Sequence, residues 1–220
     1  MALAAFVVAV GTARSAAAED TTAERSQSSK MPAETLWMGA RGGLFVPYGA
    51  LYADRSLVTT PFQDVATAGP AAEIDCGMRF ARRFVGYAFF DHAFLGRGNS
   101  PAWVAAHGGQ TSTTTEATGL GLRWESNPEA WGMVVDVAGG YRWFSSNWED
   151  ATTVRMGGFG DVRVGLGVTV RAAPNFTLTA MASIISGMFT SRTLDEQPLG
   201  GAASSYTASA LALSGHIDVF

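Results

Sequence analysis

The stretch Asp161–Arg171, DVRVGLGVTVR, decides the fold of this chain. Its even-numbered positions hold Val, Val, Leu, Val and Val, whereas its odd-numbered positions hold Asp, Arg, Gly, Gly, Thr and Arg. Successive side chains of a β-strand point to opposite faces of the sheet. The stretch therefore predicts a strand with one apolar face and one polar face.

Seven other segments alternate with the same period, although Phe84–Leu95 carries aromatic residues on both parities and the two faces of Ser205–Phe220 stay unassigned. These segments are Leu36–Tyr48, Ala72–Ala81, Phe84–Leu95, Gly119–Glu125, Met133–Trp143, Phe176–Met188 and Ser205–Phe220. Short connections at 82–83, 126–130 and 172–175 alternate with longer ones at roughly 50–70, 96–112, 145–157 and 191–204. Eight strands with short turns at one end and long loops at the other predict an all-β, closed, antiparallel, eight-stranded transmembrane β-barrel.

Composition limits the function classes that remain. Hydrophobic residues make up 47% of the 220 residues and charged residues only 15%, which is sparse for a soluble surface. The net charge of −4 offers no broad basic field, so no nucleic-acid partner is expected. The single cysteine, Cys76, excludes an intramolecular disulfide and a multi-cysteine metal site. The sequence predicts no catalytic residue, no metal site and no cofactor.

The N-terminus predicts export. Ala2–Gly11 is an apolar run of signal-peptide length, and Ala16-Ala17-Ala18 is a small-residue cleavage pattern, so residues 1–18 are interpreted as a signal peptide. Residues 19–34 are polar and lack periodicity, which predicts a periplasmic leader before a barrel at 35–220. No later stretch has the 18 or so apolar residues of a membrane-spanning helix. A membrane protein of this kind has to be a closed barrel.

Alternation alone does not decide which face meets lipid, because a soluble lipocalin-type barrel has its apolar face inside. Glycines share the parity of the charged residues, as expected for a crowded barrel interior. Aromatic residues cluster at both strand ends, as the two interfaces of a bilayer favour. The predicted belts contain Trp37, Phe84, Trp124, Trp131, Phe176 and Phe220 at one end and Tyr48, Phe94, Tyr141, Trp143, Phe159, Phe189 and Tyr206 at the other. We therefore expect lipid outside.

The polar parity predicts an interior network of charges that fills the lumen. Its members are Arg41, Glu73, Asp75, Arg79, Arg123, Glu125, Asp136, Arg142, Asp161, Arg163 and Arg171. Isolated charges in such an interior are very costly, so we expect them to be paired. The same residues also fit a narrow ion path, and that alternative stays open.

In these features the chain resembles the small eight-stranded outer-membrane barrels of the OmpA, OmpX and OmpW type. The resemblance covers residues 35–220 and implies the bacterial outer membrane, with its lipid and lipopolysaccharide, as the surroundings. It also implies insertion by the barrel-insertion machinery, for which the terminal aromatic, here Phe220, is the assembly signal. His216 and Asp218 occupy the parity of Phe220, where the family has apolar residues.

The resulting functional expectation is a structural or loop-mediated interaction role, with an unknown loop partner. The first alternative is a narrow channel for small or apolar solutes. A second is a lipid-modifying enzyme, in which His92 beside Asp91 would act with a nearby hydroxyl such as Ser100 or one of Thr111–Thr115. A third is a secreted soluble barrel that binds a ligand.

Overall fold

The computed structural model describes residues 34–53, 59–98, 101–198 and 204–219. The predicted signal peptide, residues 19–33 of the predicted leader, Ser100 and Phe220 lie outside this described part, so the predictions made for them stay predictions.

Eight long strands form the barrel. They are β1 (Thr35–Tyr48), β2 (Gly69–Phe80), β3 (Phe84–Phe94), β4 (Gln110–Glu125), β5 (Trp131–Trp148), β6 (Thr153–Ala173), β7 (Phe176–Phe189) and β8 (Ser204–Val219). All neighbours are antiparallel, β1 pairs with β8, and the pairing of β6 with β7 completes the ring. The closed, antiparallel, eight-stranded β-barrel predicted from the alternation is therefore confirmed.

The apolar face of each strand points away from the barrel axis. On β6 the five residues from Val162 to Val170 on the even parity are exposed, while Asp161 and Arg163 on the odd parity are buried. Leu120 on β4 is 72% exposed and Leu213 on β8 is 71% exposed, the reverse of a soluble core. This arrangement is inside out relative to a lipocalin-type barrel, whose apolar residues line the interior.

The outward parity of β8 settles the faces that the sequence left open. Leu211, Leu213 and Ile217 are exposed, whereas His216 and Asp218 are buried inside the barrel. On β3, the aromatic residues divide by parity, with Tyr87 and Phe89 inside.

Two short helices lie in the connections at the long-loop end, Phe62–Val65 and Pro101–His107. Neither of these helices in the described ranges is long and apolar enough to cross a bilayer. Short strand pairs, Ala50–Ala53 with Thr59–Pro61 and Ala66–Thr67 with Gly96–Arg97, accompany them.

The prediction of a long loop at 145–157 is wrong. β5 and β6 stay paired up to Asn147 and Thr153, so only a tight turn joins them. β6 also pairs with Ser191–Leu194, which extends the wall beyond the ring. The sequence did not reveal this because Ser, Asn and Thr at these positions are typical of loops but equally fit a polar strand.

A bulge at Gly160, with φ of +96°, keeps Phe159 outside and Asp161 inside.

The turn between β2 and β3 is strained. Ala81 and Arg82 have φ values of +48° and +62°, a region that non-glycine residues rarely adopt. The Arg82 carbonyl accepts a hydrogen bond of 3.0 Å from the Arg79 guanidinium, which holds the turn in place.

We predict that Arg82→Gly stabilises the barrel by about 0.5–1 kcal/mol, because glycine removes a left-handed backbone cost of about 1–2 kcal/mol and loses part of that gain to chain entropy. The control is Arg83→Gly, which changes the same residue type in the same turn at a position without positive φ. Urea unfolding in lipid vesicles measures both. Equal effects of the two substitutions would contradict the assignment of strain to Arg82.

Candidate functional site

The interior of the barrel is the candidate site, because it holds a dense group of buried arginine, aspartate, glutamate and histidine side chains. Ten of the eleven residues predicted for the interior network are buried there: Arg41, Glu73, Asp75, Arg79, Arg123, Glu125, Asp136, Arg142, Asp161 and Arg163. Three further residues join them, namely Asp91, His216 and Asp218. They form three clusters stacked along the barrel.

The central cluster contains three arginines and three carboxylates. Arg41 Nε lies 2.9 Å from Asp75 Oδ2 and 3.1 Å from Glu73 Oε1, and its Nη2 lies 3.3 Å from Asp136 Oδ2. Arg123 Nε reaches the same Asp136 oxygen at 3.3 Å. Asp136 on β5 therefore joins its cross-strand neighbour Arg123 on β4 to Arg41 on β1.

Uncharged side chains complete this cluster. The Tyr87 hydroxyl donates to Asp136 Oδ1 at 2.6 Å, and Arg163 donates to that hydroxyl at 3.2 Å and to Glu73. His216 Nε2 lies 3.2 Å from Asp75 Oδ2. The His216 ring stacks on the Trp37 indole at 4.1 Å.

The cluster nearest the short turns is built on Arg79. Its guanidinium lies 2.8 Å from Glu125 Oε2 and 2.8 Å from Asp218 Oδ1. The Thr35 hydroxyl donates to the same Asp218 oxygen at 2.8 Å. The Thr35 hydrogen bond thus ties the first strand to the last, and Arg79 ties β2 to both β4 and β8.

The cluster nearest the long loops is built on Arg142. Its guanidinium contacts Asp91 at 2.9 Å and Asp161 at 2.9 Å. The Tyr206 hydroxyl donates to Asp161. Strands β3, β5, β6 and β8 therefore meet at one guanidinium.

Each of four interior arginines also lies over an aromatic ring. The distances from the guanidinium carbon to the ring centroid are 5.3 Å for Arg41 over Tyr87, 5.0 Å for Arg123 over Trp37, 5.2 Å for Arg142 over Phe45 and 4.8 Å for Arg163 over Phe89. Such contacts contribute more when the cation is desolvated, as it is here. The sequence did not reveal them, because the partners come from different strands.

The interior is acidic as a whole. The three clusters hold five arginines against seven carboxylates, a formal charge of −2 with His216 neutral. The central cluster is balanced, and each outer cluster carries one more carboxylate than arginine. The set predicted from the sequence holds six arginines and five carboxylates, because it includes Arg171 and leaves out Asp91 and Asp218.

The prediction that Arg171 belongs to this network is corrected. Its half-buried guanidinium donates to the backbone carbonyls of Ala173, Pro128 and Pro174 at the short-turn end, and it makes no ion pair with a described residue. Arg171 is near the last position of β6, so its side chain reaches the turns rather than the lumen.

The prediction of the aromatic belts is also wrong for three residues. Trp37, Phe189 and Tyr206 are at most 2% exposed and lie inside the barrel. Trp37 shares the parity of Arg41, so parity was the signal that could have found it. Phe94 and Trp131 do lie outside at strand ends, and Phe159 lies outside but within β6, six residues from its first position.

Glycines leave the space that these side chains fill. A Cβ on Gly39 would lie 1.9 Å from the His216 ring, and a Cβ on Gly121 would lie 2.2 Å from the Tyr87 ring. Both distances are far below van der Waals contact, so any larger residue there would displace a member of the central cluster.

An apolar layer closes the lumen above the charged clusters. Phe62 and Val65 from the short helix are buried against the barrel wall, and the Phe62 ring meets Phe144 edge-on at 5.6 Å. Gln110 holds the helix by donating to the Val65 carbonyl at 2.8 Å. Below this layer is a cavity of about 40 Å³, lined by Glu73, Asp91 and Arg163 among others, which is room for only a few water molecules.

The remaining histidines lie outside the lumen. His92 points outward, and its Nδ1 pairs with Glu116 Oε1 at 3.0 Å rather than with a described serine or threonine hydroxyl. Asp91, its neighbour, points inward to Arg142. Within the described ranges, no three His, Cys, Asp or Glu side chains form a group that could hold a metal ion.

His107 joins two connections at the long-loop end. Its Nδ1 lies 2.8 Å from Asp150 Oδ2 in the turn between β5 and β6. The hydrogen bond to His107, together with one from the Thr152 amide, holds the pKa of the exposed Asp150 carboxyl below its usual value. The carboxylate form of Asp150 is lost as the pH falls through that lowered pKa.

Comparisons with known proteins give structural likeness alone. No protein-family model matches the chain, and no curated protein matches it by sequence. The crystal structure of Neisserial surface protein A superposes with a TM-score of 0.55 at 10% identity, covering 83% of this chain and 96% of that one. The outer membrane protein AlkL, determined by solid-state NMR in lipid bilayers, superposes with a TM-score of 0.52 at 12% identity, covering 92% of this chain and 96% of that one.

The loop-end cluster yields a quantitative prediction. Arg142→Met leaves Asp91 and Asp161 buried without their cation, so we expect it to lower the free energy of unfolding by about 3–5 kcal/mol. The matched control, Arg83→Met, removes an exposed arginine and is expected to change it by less than about 0.5 kcal/mol. Urea unfolding in lipid vesicles compares the two, and a loss below 1 kcal/mol for Arg142→Met would contradict the pairing described above.

The ring of eight antiparallel strands, its outward apolar face and both superpositions agree. The chain has the fold of the small eight-stranded barrels of bacterial outer membranes.

Proposed function

We propose that the chain is inserted in the bacterial outer membrane and acts as a rigid barrel with a structural or loop-mediated interaction role. The observation that carries this proposal is the inverted arrangement of the barrel, with valine and leucine exposed and arginine and aspartate buried. Exposing that apolar outer face to water is unfavourable, whereas the hydrocarbon core of a membrane solvates it.

The height of the outward apolar band supports this setting. On β5, Trp131 and Trp143 both face outward, at 70% and 40% exposure, and twelve positions separate them. That spacing is about 40 Å along a strand. At a strand tilt of about 40° it is about 30 Å along the membrane normal, the thickness of a bilayer's hydrocarbon core.

Above Trp143 the outer wall becomes polar. Ser145, Asn147, Arg155 and Thr114 face outward there on β4, β5 and β6, and the aromatic rings of Trp143 and Phe159 lie between them and the apolar band. This sequence of apolar, aromatic and polar surface matches the change in polarity from the hydrocarbon centre of a bilayer, through its interface, to water. We infer that the long-loop end faces the cell exterior. The start of the first strand, at Leu36, and the end of the last strand, at Val219, would then lie on the periplasmic side.

A filled lumen favours a structural or interaction role. The three charged clusters and the apolar layer around Phe62 occupy the cross-section, so the barrel provides a stiff support for its connections at the long-loop end. Recognition commonly resides in loops on such rigid scaffolds. The surrounding lipid and lipopolysaccharide, the barrel-insertion machinery and export through residues 1–18 belong to this proposal.

The test is heat modifiability of the membrane fraction on a gel. Folded small barrels stay compact in detergent, so we expect the unheated chain to sediment with membranes and to migrate differently from the boiled chain. A chain that stays in the soluble fraction and migrates identically before and after boiling would overturn the proposal.

The alternative of a narrow channel for small or apolar solutes has the cavity beneath Phe62 in its favour. Planar-bilayer recordings separate the two functions. We expect no discrete conductance steps from the wild-type chain. We also expect none from Phe62→Ala, because the charged clusters still fill the lumen in that variant. Wild-type steps that disappear in Asp136→Asn would favour the channel instead.

A further inference from the structure

Arg155 stands apart from the other arginines of the barrel wall. It lies on β6 at the long-loop end, its side chain is exposed on the outer surface, and it makes no hydrogen bond or ion pair with a described residue. The five arginines inside the barrel are all paired with carboxylates. A free guanidinium on the outer wall therefore has its hydrogen-bonding capacity available for a ligand.

A recess lies beside Arg155. Its volume is about 230 Å³, and its lining includes Thr114, Glu116, Trp143 and Ser145. The β4–β5–β6 register explains this grouping, because Thr114 pairs with Ser145 and Ser145 pairs with Arg155. Two hydroxyl groups, an indole and a guanidinium thus converge on one patch of the outer wall.

The height of the recess matches the headgroup layer of a bilayer. Trp143 pairs with Gly157, and Arg155 is two positions closer to the long loops. Two positions are about 7 Å along the strand and about 5 Å along the membrane normal at a tilt of about 40°. The polar layer on each side of a bilayer is about 5–7 Å thick. Arg155 is therefore at the level of lipid headgroups when Trp143 is at the edge of the hydrocarbon.

We propose that this recess binds the phosphate of a membrane lipid headgroup. The inference rests on the proposed function, because it requires the barrel to be in a membrane. The guanidinium of Arg155 would pair with two phosphate oxygens, since its planar fork fits that group. Ser145 and Thr114 would donate further hydrogen bonds, and the Trp143 ring would pack on the glycerol and the upper acyl chain.

Glu116 gives the proposal a distinctive electrostatic signature. Its carboxylate lines the same recess and is already engaged by His92 at 3.0 Å. It repels a bound phosphate, so neutralising Glu116 should strengthen binding whereas neutralising Arg155 should weaken it. A purely structural role for the patch would make both substitutions unfavourable.

The experiment is native mass spectrometry of the full chain released from neutral detergent after equilibration with phosphatidylglycerol. Diacylglycerol with the same acyl chains is the lipid without phosphate, and inorganic phosphate is the competitor without acyl chains. We expect the wild type to retain phosphatidylglycerol in preference to diacylglycerol. We expect inorganic phosphate at millimolar concentration not to displace it.

The variants are Arg155→Gln, Glu116→Gln and, as a matched control, Arg83→Gln, an exposed arginine at the short-turn end. We expect Arg155→Gln to lower retention about five-fold, the effect of an exposed charge contact. Glu116→Gln should raise retention, and Arg83→Gln should leave it unchanged. Equal retention by Arg155→Gln and wild type, an equal loss in the Arg83 variant, or displacement by inorganic phosphate would each overturn the proposal.

The failure of this site is distinguishable from the failure of the proposed function. A chain that sediments with membranes and shifts on heating, but whose Arg155 variant retains lipid normally, refutes only the headgroup site. A chain without membrane association refutes the proposed function and this inference together. The same heat shift in all three variants confirms that each is folded before retention is compared.

Discussion

The pairing of buried charges inside the barrel is the interaction on which the rest of this structure depends. Once the apolar parity of every strand faces outward, the opposite parity has to fill a narrow interior, and that parity carries arginine, aspartate and glutamate. A buried charge is tolerated only when it is paired and its hydrogen bonds are satisfied. Asp136 meets this requirement, since it accepts from Arg41, Arg123 and Tyr87 and is fully buried.

This requirement explains the distribution of small residues as well. The large rings of His216 and Tyr87 lean over the neighbouring strand inside the lumen, so their cross-strand partners have to be glycine, namely Gly39 and Gly121. The interior is therefore specified by complementary sizes in addition to complementary charges. The clusters also join strands that are distant in sequence, such as β1 with β5 and β2 with β8, and so hold the closed ring together from inside.

The sequence predicted the ring, its eight strands and the faces of most of them, because parity is a local property of each segment. It did not predict the faces of β8, where serine occurs on both parities, alanine shares the parity of His216 and Asp218, and the burial of those two residues depends on Asp75 and Arg79 of β2. Trp37 was placed in a belt by its position near a strand end, although its parity already pointed inward. Long-range partners, such as Tyr87 for Asp136 and Tyr206 for Asp161, are set by register and shear, which a single sequence does not display. The aromatic cover of Phe62 over the lumen likewise depends on how a connection folds back.

The single cysteine of the chain tests the central claim directly. Cys76 lies on β2 between Ile74 and Met78, and its side chain is exposed on the outer face. A spin label on Cys76 of the wild-type barrel in vesicles reports its surroundings by relaxation with oxygen, which concentrates in hydrocarbon, and with a nickel chelate, which stays in water. An outward apolar face predicts strong relaxation by oxygen and weak relaxation by nickel. A label that is immobilised and shielded from both reagents, or one that nickel relaxes strongly, would mean that this face is not in lipid.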